Sequence, residues 1–241
     1  MIKFQCVLLM ALAITGCASQ QKFIGEIEDP EQEVTRLIEH ELTNIQSGEY
    51  CRPDPQSPFN GCDGALQRLT QLFTKFPDYE RLQLALAVSY QARNQNREAQ
   101  YYLDLLLRKD RPRPEAAILA AQLAMEEGNT RRAETLLNAQ KRLNPMHAGI
   151  HETLAAVFYL NHEPEKGFSA LAAAEQLGSP AWRVAYHRGL LYELSKNESA
   201  ACAQYAKSYT EKASFRLPEG RILGLTHNPI CLELAKFLGG A

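Results

Sequence analysis

From about residue 30 to the C-terminus, apolar residues return every three or four positions and the connecting stretches are short. No run alternates apolar with polar residues cleanly enough to predict a strand. The pattern predicts a chain that is helical almost throughout. A longer period lies on top of the helical one. Ala87, Ala121, Ala155 and Gly189 stand 34 apart in the chain, and the same step links Tyr90, Ala124, Phe158 and Tyr192. It also links Ala99, Ala133, Gly167 and Ala201, and again Leu103, Leu137, Leu171 and Tyr205. Small residues at fixed points of a repeated unit let two helices of a hairpin approach closely, while larger ones fill the space between neighbouring hairpins. The unit from Pro114 to His147 is the clearest, with Glu127-Gly128-Asn129 as its turn, Leu143 near its end and Pro145 as its stop.

These columns resemble the tetratricopeptide-repeat (TPR) consensus at its small position 8, aromatic position 11, small position 20 and large apolar position 24. The resemblance implies an all-α fold, a TPR solenoid forming a right-handed superhelix of helical hairpins with a C-terminal capping helix. Four repeats are expected at 80–113, 114–147, 148–181 and 182–215. A degenerate N-terminal repeat should occupy 30–79, with Pro30 to Gln46 and a stretch holding Ala65, Leu69 and Leu72 as its helices. The insertion Ser47 to Gly61 interrupts it. Residues 216–241 should form the cap, with a short helix from about Pro229 to Leu238. Two features depart from the consensus. Position 4, often aromatic, is Gln83, Ala117, His151 and Ala185, and position 7 of the last repeat is Arg188.

A superhelix of this kind implies a concave groove lined by first-helix positions 2, 5, 9, 12 and 13. In register these include Arg81, Leu84, Val88 and Gln91 in the first full repeat, and Ile118, Gln122 and Met125 in the second. Glu152 and Tyr159 belong to the third, and Arg183, Tyr186 and Leu190 to the fourth. Positions 5 and 9 lack the Lys/Asn pair with which some TPR modules clamp a C-terminal carboxylate. The strip is instead apolar with Gln and Tyr, which suits an amphipathic helix or an extended peptide.

The N-terminus changes the picture further. Lys3 precedes an apolar run, Cys6 to Ile14, of about nine residues, too short to span a bilayer. Ile14-Thr15-Gly16-Cys17 then resembles the lipobox of bacterial lipoproteins. That resemblance implies removal of residues 1–16, acylation of Cys17, and a tether over 17–29. Two or more acyl chains hold a protein firmly at a membrane, where one does not. Ala18 and Ser19 lack the Asp that retains enterobacterial lipoproteins at the inner membrane, so the resemblance implies the periplasmic face of the outer membrane.

An oxidising compartment makes the cysteines informative. With Cys6 removed and Cys17 lipidated, Cys51, Cys62, Cys202 and Cys231 allow three connectivities. The expected pairing is Cys51 with Cys62, which closes a Pro- and Gly-rich loop, and Cys202 with Cys231, which staples the C-terminal segment to the last repeat. A four-Cys zinc site is not expected, because no C-x-x-C knuckle occurs.

Overall charge gives no reason to expect nucleic acid, at a formal −2. There is no Gly-rich phosphate loop, no G-x-S-x-G elbow and no H-E-x-x-H helix, so no catalytic residue, metal or cofactor is expected apart from the lipid on Cys17. His147 and His151 are four apart with Glu152 beside them, but packing explains them as well as a metal does. Trp182 reads as a residue packed between repeats. The chain is thus expected to be a binding scaffold and not an enzyme. It resembles outer-membrane TPR lipoproteins of the pilotin-like and tight-adherence pilus group, which implies a secretin or pilus-machine subunit as client. A second group of such lipoproteins docks and regulates peptidoglycan hydrolases or synthases.

Overall fold

A computed structural model describes residues 29–46 and 64–238, and among these it contains twelve α-helices and no strand. Cys17, the lipobox, the tether up to residue 28, the Cys51 to Cys62 loop and the insertion Ser47 to Gly61 lie outside the described residues. The chain divides at Phe76 and Pro77 into two compact units.

The first unit contains α1 (Pro30–Gln46) and α2 (Gly64–Lys75). Val34 and Leu37 on α1 are buried, as are Leu66, Leu69 and Leu72 on α2. Glu33 accepts hydrogen bonds from Arg36 one turn on and from Arg68 of α2, each at 3.0 Å. Those two guanidinium groups outweigh burial and hold its carboxyl below the usual carboxylate value.

The second unit stacks four helical hairpins and a shorter pair. The hairpins are α3 (Glu80–Gln91) with α4 (Asn96–Leu107), α5 (Pro114–Glu126) with α6 (Thr130–Leu143), α7 (Ala148–Leu160) with α8 (Pro164–Gln176), and α9 (Ala181–Leu194) with α10 (Glu198–Glu211). The shorter pair is α11 (Leu217–Gly224) and α12 (Pro229–Leu238). Within each hairpin the two helices pack closely, and the second of each also packs on the first of the next. The columns of small residues account for this. Ala87, Ala121 and Ala155 are buried, as are Ala99, Ala133 and Ala201. At Gly167 and Gly189 even a methyl group would collide, with the Leu191 side chain and the Tyr205 ring respectively.

Each full hairpin turns in the same way. Asn94, Gly128, His162 and Lys196 stand 34 apart in the chain and all have positive φ, between 57° and 75°. The N–H after each reaches back five positions, from Gln95 to Tyr90, Asn129 to Ala124, Glu163 to Phe158 and Asn197 to Tyr192. These bonds satisfy carbonyls that the end of the first helix leaves open. Asn129 and Asn197 then cap the second helix, accepting from the N–H groups of Arg132 and Ala200.

At the C-terminal end, Cys202 of α10 and Cys231 of α12 form a disulfide, with Cα atoms 5.4 Å apart. Both residues lie in a buried cluster with Leu190, Tyr205, Ile222 and Leu225. Trp182 packs at a tilt on Phe215, with ring centroids 4.7 Å apart.

Candidate functional site

The first helices of successive hairpins, α3, α5, α7 and α9, pack side by side, so the residues assigned to the concave groove lie along neighbouring helices. Their environments differ along the stack. In the first full repeat Val88 is 47% exposed, while Arg81, Leu84 and Gln91 are half-buried. In the second, Gln122 is half-buried, and Ile118 and Met125 are partly covered by the cluster that holds Ile150 and Leu154 of α7. Toward the C-terminus the strip closes. Tyr159 and Tyr186 pack against the cluster around the disulfide, and Leu190 is only 7% exposed within it. Ile222 and Leu225 belong to the same cluster, so Leu190 serves the end of the solenoid and presents no contact surface. Its register position is that of a groove residue, but it lies inside the buried cluster that also holds Cys202, Tyr205 and Ile222.

Polar chemistry in this region sits between repeats. Glu152 of α7 is 4% exposed, yet it carries a charge partner. Arg183 of α9 donates to its Oε1 at 2.6 Å, the Ser179 hydroxyl donates to Oε2 at 3.1 Å, and His187 Nε2 lies 3.5 Å away. Burial alone would raise the carboxyl, but the hydrogen bond with His187 and the charge of Arg183 outweigh it and hold it below its ordinary value. A second cluster lies against α11. Glu193 accepts from the buried Tyr205 hydroxyl at 2.7 Å and from Arg221 at 3.3 Å. Burial and the neighbouring carboxylate push the Tyr205 hydroxyl upward, so it stays a donor. Cavities of about 570 Å³ and 440 Å³ flank Glu193 and Leu225, one beside Tyr159 and Leu194, the other beside Tyr186 and Arg221.

The histidines named from the sequence are separately engaged. His151 Nε2 bonds the carbonyl of Pro145 at 2.7 Å, and His147 Nε2 lies 4.0 Å from Glu115. Among the described residues no group of three or more His, Cys, Asp or Glu converges as metal ligands, and no helix is long and apolar enough to cross a membrane. The ion pair at Glu152 is legible in the sequence only as two lining residues, since nothing in the local pattern says that positions 5 and 2 of successive repeats meet. The signal lies in the spacing. Ile118 and Gly149, like Glu152 and Arg183, are 31 apart in the chain, and a methyl group on Gly149 would sit 3.1 Å from Ile118 Cδ1.

A helical hairpin, repeated four times at one fixed period with small residues at both helix crossings, decides the architecture. The fold is that of a tetratricopeptide-repeat solenoid. The sequence profile described as "Tetratricopeptide repeat" matches residues 63–123. Solved structures resemble the chain over most of its length. A TPR protein of Parabacteroides merdae aligns with a TM-score of 0.64 at 16% identity, covering 81% of this chain and 71% of its own. A thermophilic TPR protein of Thermus thermophilus aligns at 0.62 with 17% identity, covering 78% and 96%. A chain of the APC/C hetero-tetramer Cut9–Hcn1 aligns at 0.66 with 13% identity, covering 85% of this chain and 38% of its own. At such identities the likeness concerns the fold alone. No curated protein matches the sequence.

Proposed function

We propose that this TPR solenoid is a non-catalytic scaffold, anchored by lipid on Cys17 to the periplasmic face of the outer membrane, that holds a protein client on the concave side of its first repeats. Client binding is the work that a stack of hairpins with an uncovered lining performs best, since the fold supplies a long surface. The observation that carries this reading is the uneven cover along the lining. Val88 is exposed and Leu84 half-buried, whereas the equivalent Leu190 is closed off. An amphipathic helix or extended strand laid across Leu84, Val88 and Ile118 would bury apolar area that the chain itself leaves partly wet.

Within this reading, the client is a secretin or another pilus-machine subunit that the scaffold carries to, or helps to assemble in, the outer membrane. Support for it comes from the lipobox-like Ile14 to Cys17 segment and the likeness to pilotin-like lipoproteins. The test is crosslinking in native envelopes, comparing the wild-type chain with a Leu84→Glu, Val88→Glu double variant. Recovery of a secretin by the wild type, and its loss in a variant with unchanged helicity, is the expected result. Recovery of peptidoglycan hydrolases or synthases instead would make the chain an adaptor for cell-wall enzymes. Capture that survives the double substitution would show that the concave lining is the wrong face.

A further inference from the structure

The two ends of the first full hairpins differ in charge. Where α3 passes into α4 and α5 into α6, Arg93, Arg97, Arg131 and Arg132 stand among Glu98, Glu126, Glu127 and Glu134. At the opposite end, where α4 runs into α5 and α6 into α7, that balance is lost. Residues 108–113 and 141–146 hold Arg108, Lys109, Arg111, Arg113, Lys141 and Arg142 against one carboxylate, Asp110. A chain of formal charge −2 thus gathers cations along one edge.

The fold brings these two segments together. Gln140, next to Lys141, donates from Nε2 to the carbonyl of Pro112 at 2.9 Å, between Arg111 and Arg113. Neighbouring carboxylates engage two of the cations, with Asp78 3.9 Å from Lys109 and Glu115 3.5 Å from Arg113. Among the described residues no ion pair or side-chain hydrogen bond engages Arg108, Arg111, Lys141 or Arg142, and all but Lys141 are fully exposed. Lys141 and Arg142 lie in the last turn of α6, where cations suit the helix terminus. That effect explains neither Arg111 nor the apolar residues beside them. Leu143 is 56% exposed and Met146 76%.

We infer that this edge binds the surface of an anionic phospholipid membrane. Lipid phosphates present a dense field of negative charge, which long cationic side chains meet without fixed partners. Leu143 and Met146 supply the apolar contact that the boundary between headgroups and acyl chains accepts. Exposed aliphatic residues beside cations that no side-chain bond holds in place favour this surface over an acidic protein, whose binding gains from groups fixed beforehand. In the membrane-anchored scaffold proposed above, on which this rests, the edge is turned toward the lipid.

The test is flotation of the chain from Ala18 onward, produced without lipid, with two kinds of vesicle. One kind is phosphatidylcholine alone and the other phosphatidylcholine and phosphatidylglycerol in equal parts. Acylation of Cys17 is read separately by fatty-acid labelling, so failure of the anchor is not mistaken for failure here. The wild type is expected to float with the anionic vesicles, to stay behind with the neutral ones, and to be released by salt. Arg111→Ala and Arg142→Ala should each weaken partitioning roughly fivefold with unchanged helicity. Met146→Ser should lower it without altering its dependence on salt. Arg97→Ala combined with Arg131→Ala removes exposed charge at the other end of α4 and α6. That pair should leave partitioning within about twofold, because the twelve residues of α4 span roughly 18 Å, more than a Debye length. Equal flotation with neutral vesicles, no flotation at all, or as large a loss in the Arg97 and Arg131 pair overturns the proposal. So does Arg111-dependent binding of polyglutamate without binding of vesicles, which would make the edge a dock for an acidic protein.

Discussion

Glu152 and Arg183, 31 apart in the chain, meet at 2.6 Å across the boundary between the third and fourth repeats. The contact joins a carboxylate that is almost wholly buried to a guanidinium that remains 41% exposed. It is a seam between hairpins and not a surface ornament, because a buried charge without its partner is strongly destabilising.

Arg183→Ala is expected to destabilise the chain by about 2 kcal/mol, since Glu152 keeps only His187 and Ser179. Glu152→Gln, which removes the charge and keeps the shape, should be milder. Urea denaturation of the two variants checks this. Equal losses would show that the charge is not what the seam relies on.

The same pair predicts a pH dependence. The Glu152 carboxyl titrates below 4.5 in the folded chain and near that value when unfolded. Between the two values the unfolded state binds the additional proton, so acid favours unfolding. The stabilisation is complete above the unfolded value and is lost as pH falls through the folded one. Thermal melts from pH 6 down to pH 3 should therefore show a steeper fall for the wild type than for Glu152→Gln.

His162 and Lys196 occupy a left-handed backbone region that glycine adopts without strain, and Gly128 stands at the equivalent turn. His162→Gly and Lys196→Gly should each stabilise the chain by roughly 0.5–1 kcal/mol. Gly128→Ala should destabilise it by about 1 kcal/mol. Shifts in denaturation midpoint of the opposite sign would mean that these turns are set by contacts beyond the backbone.

Gly189 is the point at which the last full hairpin is tightest. A methyl group there would fall within the Tyr205 ring, which is fully buried and tied through its hydroxyl to Glu193. Gly189→Ala is expected to destabilise by about 1–3 kcal/mol through overpacking. Gly178→Ala, at a turn with open space and φ of 90°, should act through backbone strain alone. Circular dichroism melts distinguish them, because only the first should also loosen near-ultraviolet signals from the tyrosines.

Opening the Cys202–Cys231 bond by replacing both residues with Ser should destabilise the C-terminal pair by about 3 kcal/mol, the scale of loop closure over such a span. Amide hydrogen exchange should rise in α11 and α12 before it rises in α5 to α8. A uniform rise along the stack would show that the end pair is an integral part of the core.

Much of this architecture is readable from the residues alone, because it depends on local periodicity. Helical spacing with columns of small residues 34 apart dictates hairpins of fixed length, since only small side chains let helices cross closely at Ala87, Ala121 and Ala155. The chemistry of the lining is less readable. Val88 and Leu190 hold the same register position, yet one is exposed and the other buried. Their fates differ because exposure depends on which element packs next along the stack, and α11 supplies Ile222 to the cluster that encloses Leu190. The Glu152–Arg183 seam has the same origin. Each residue's helix is set by its neighbours in the chain, while the pairing is set by how two repeats stack. Sequence determined the repeating unit because helix and turn energies act over a few residues. Only the tertiary structure decided which side chains remain free to bind, because burial is a property of the assembled stack.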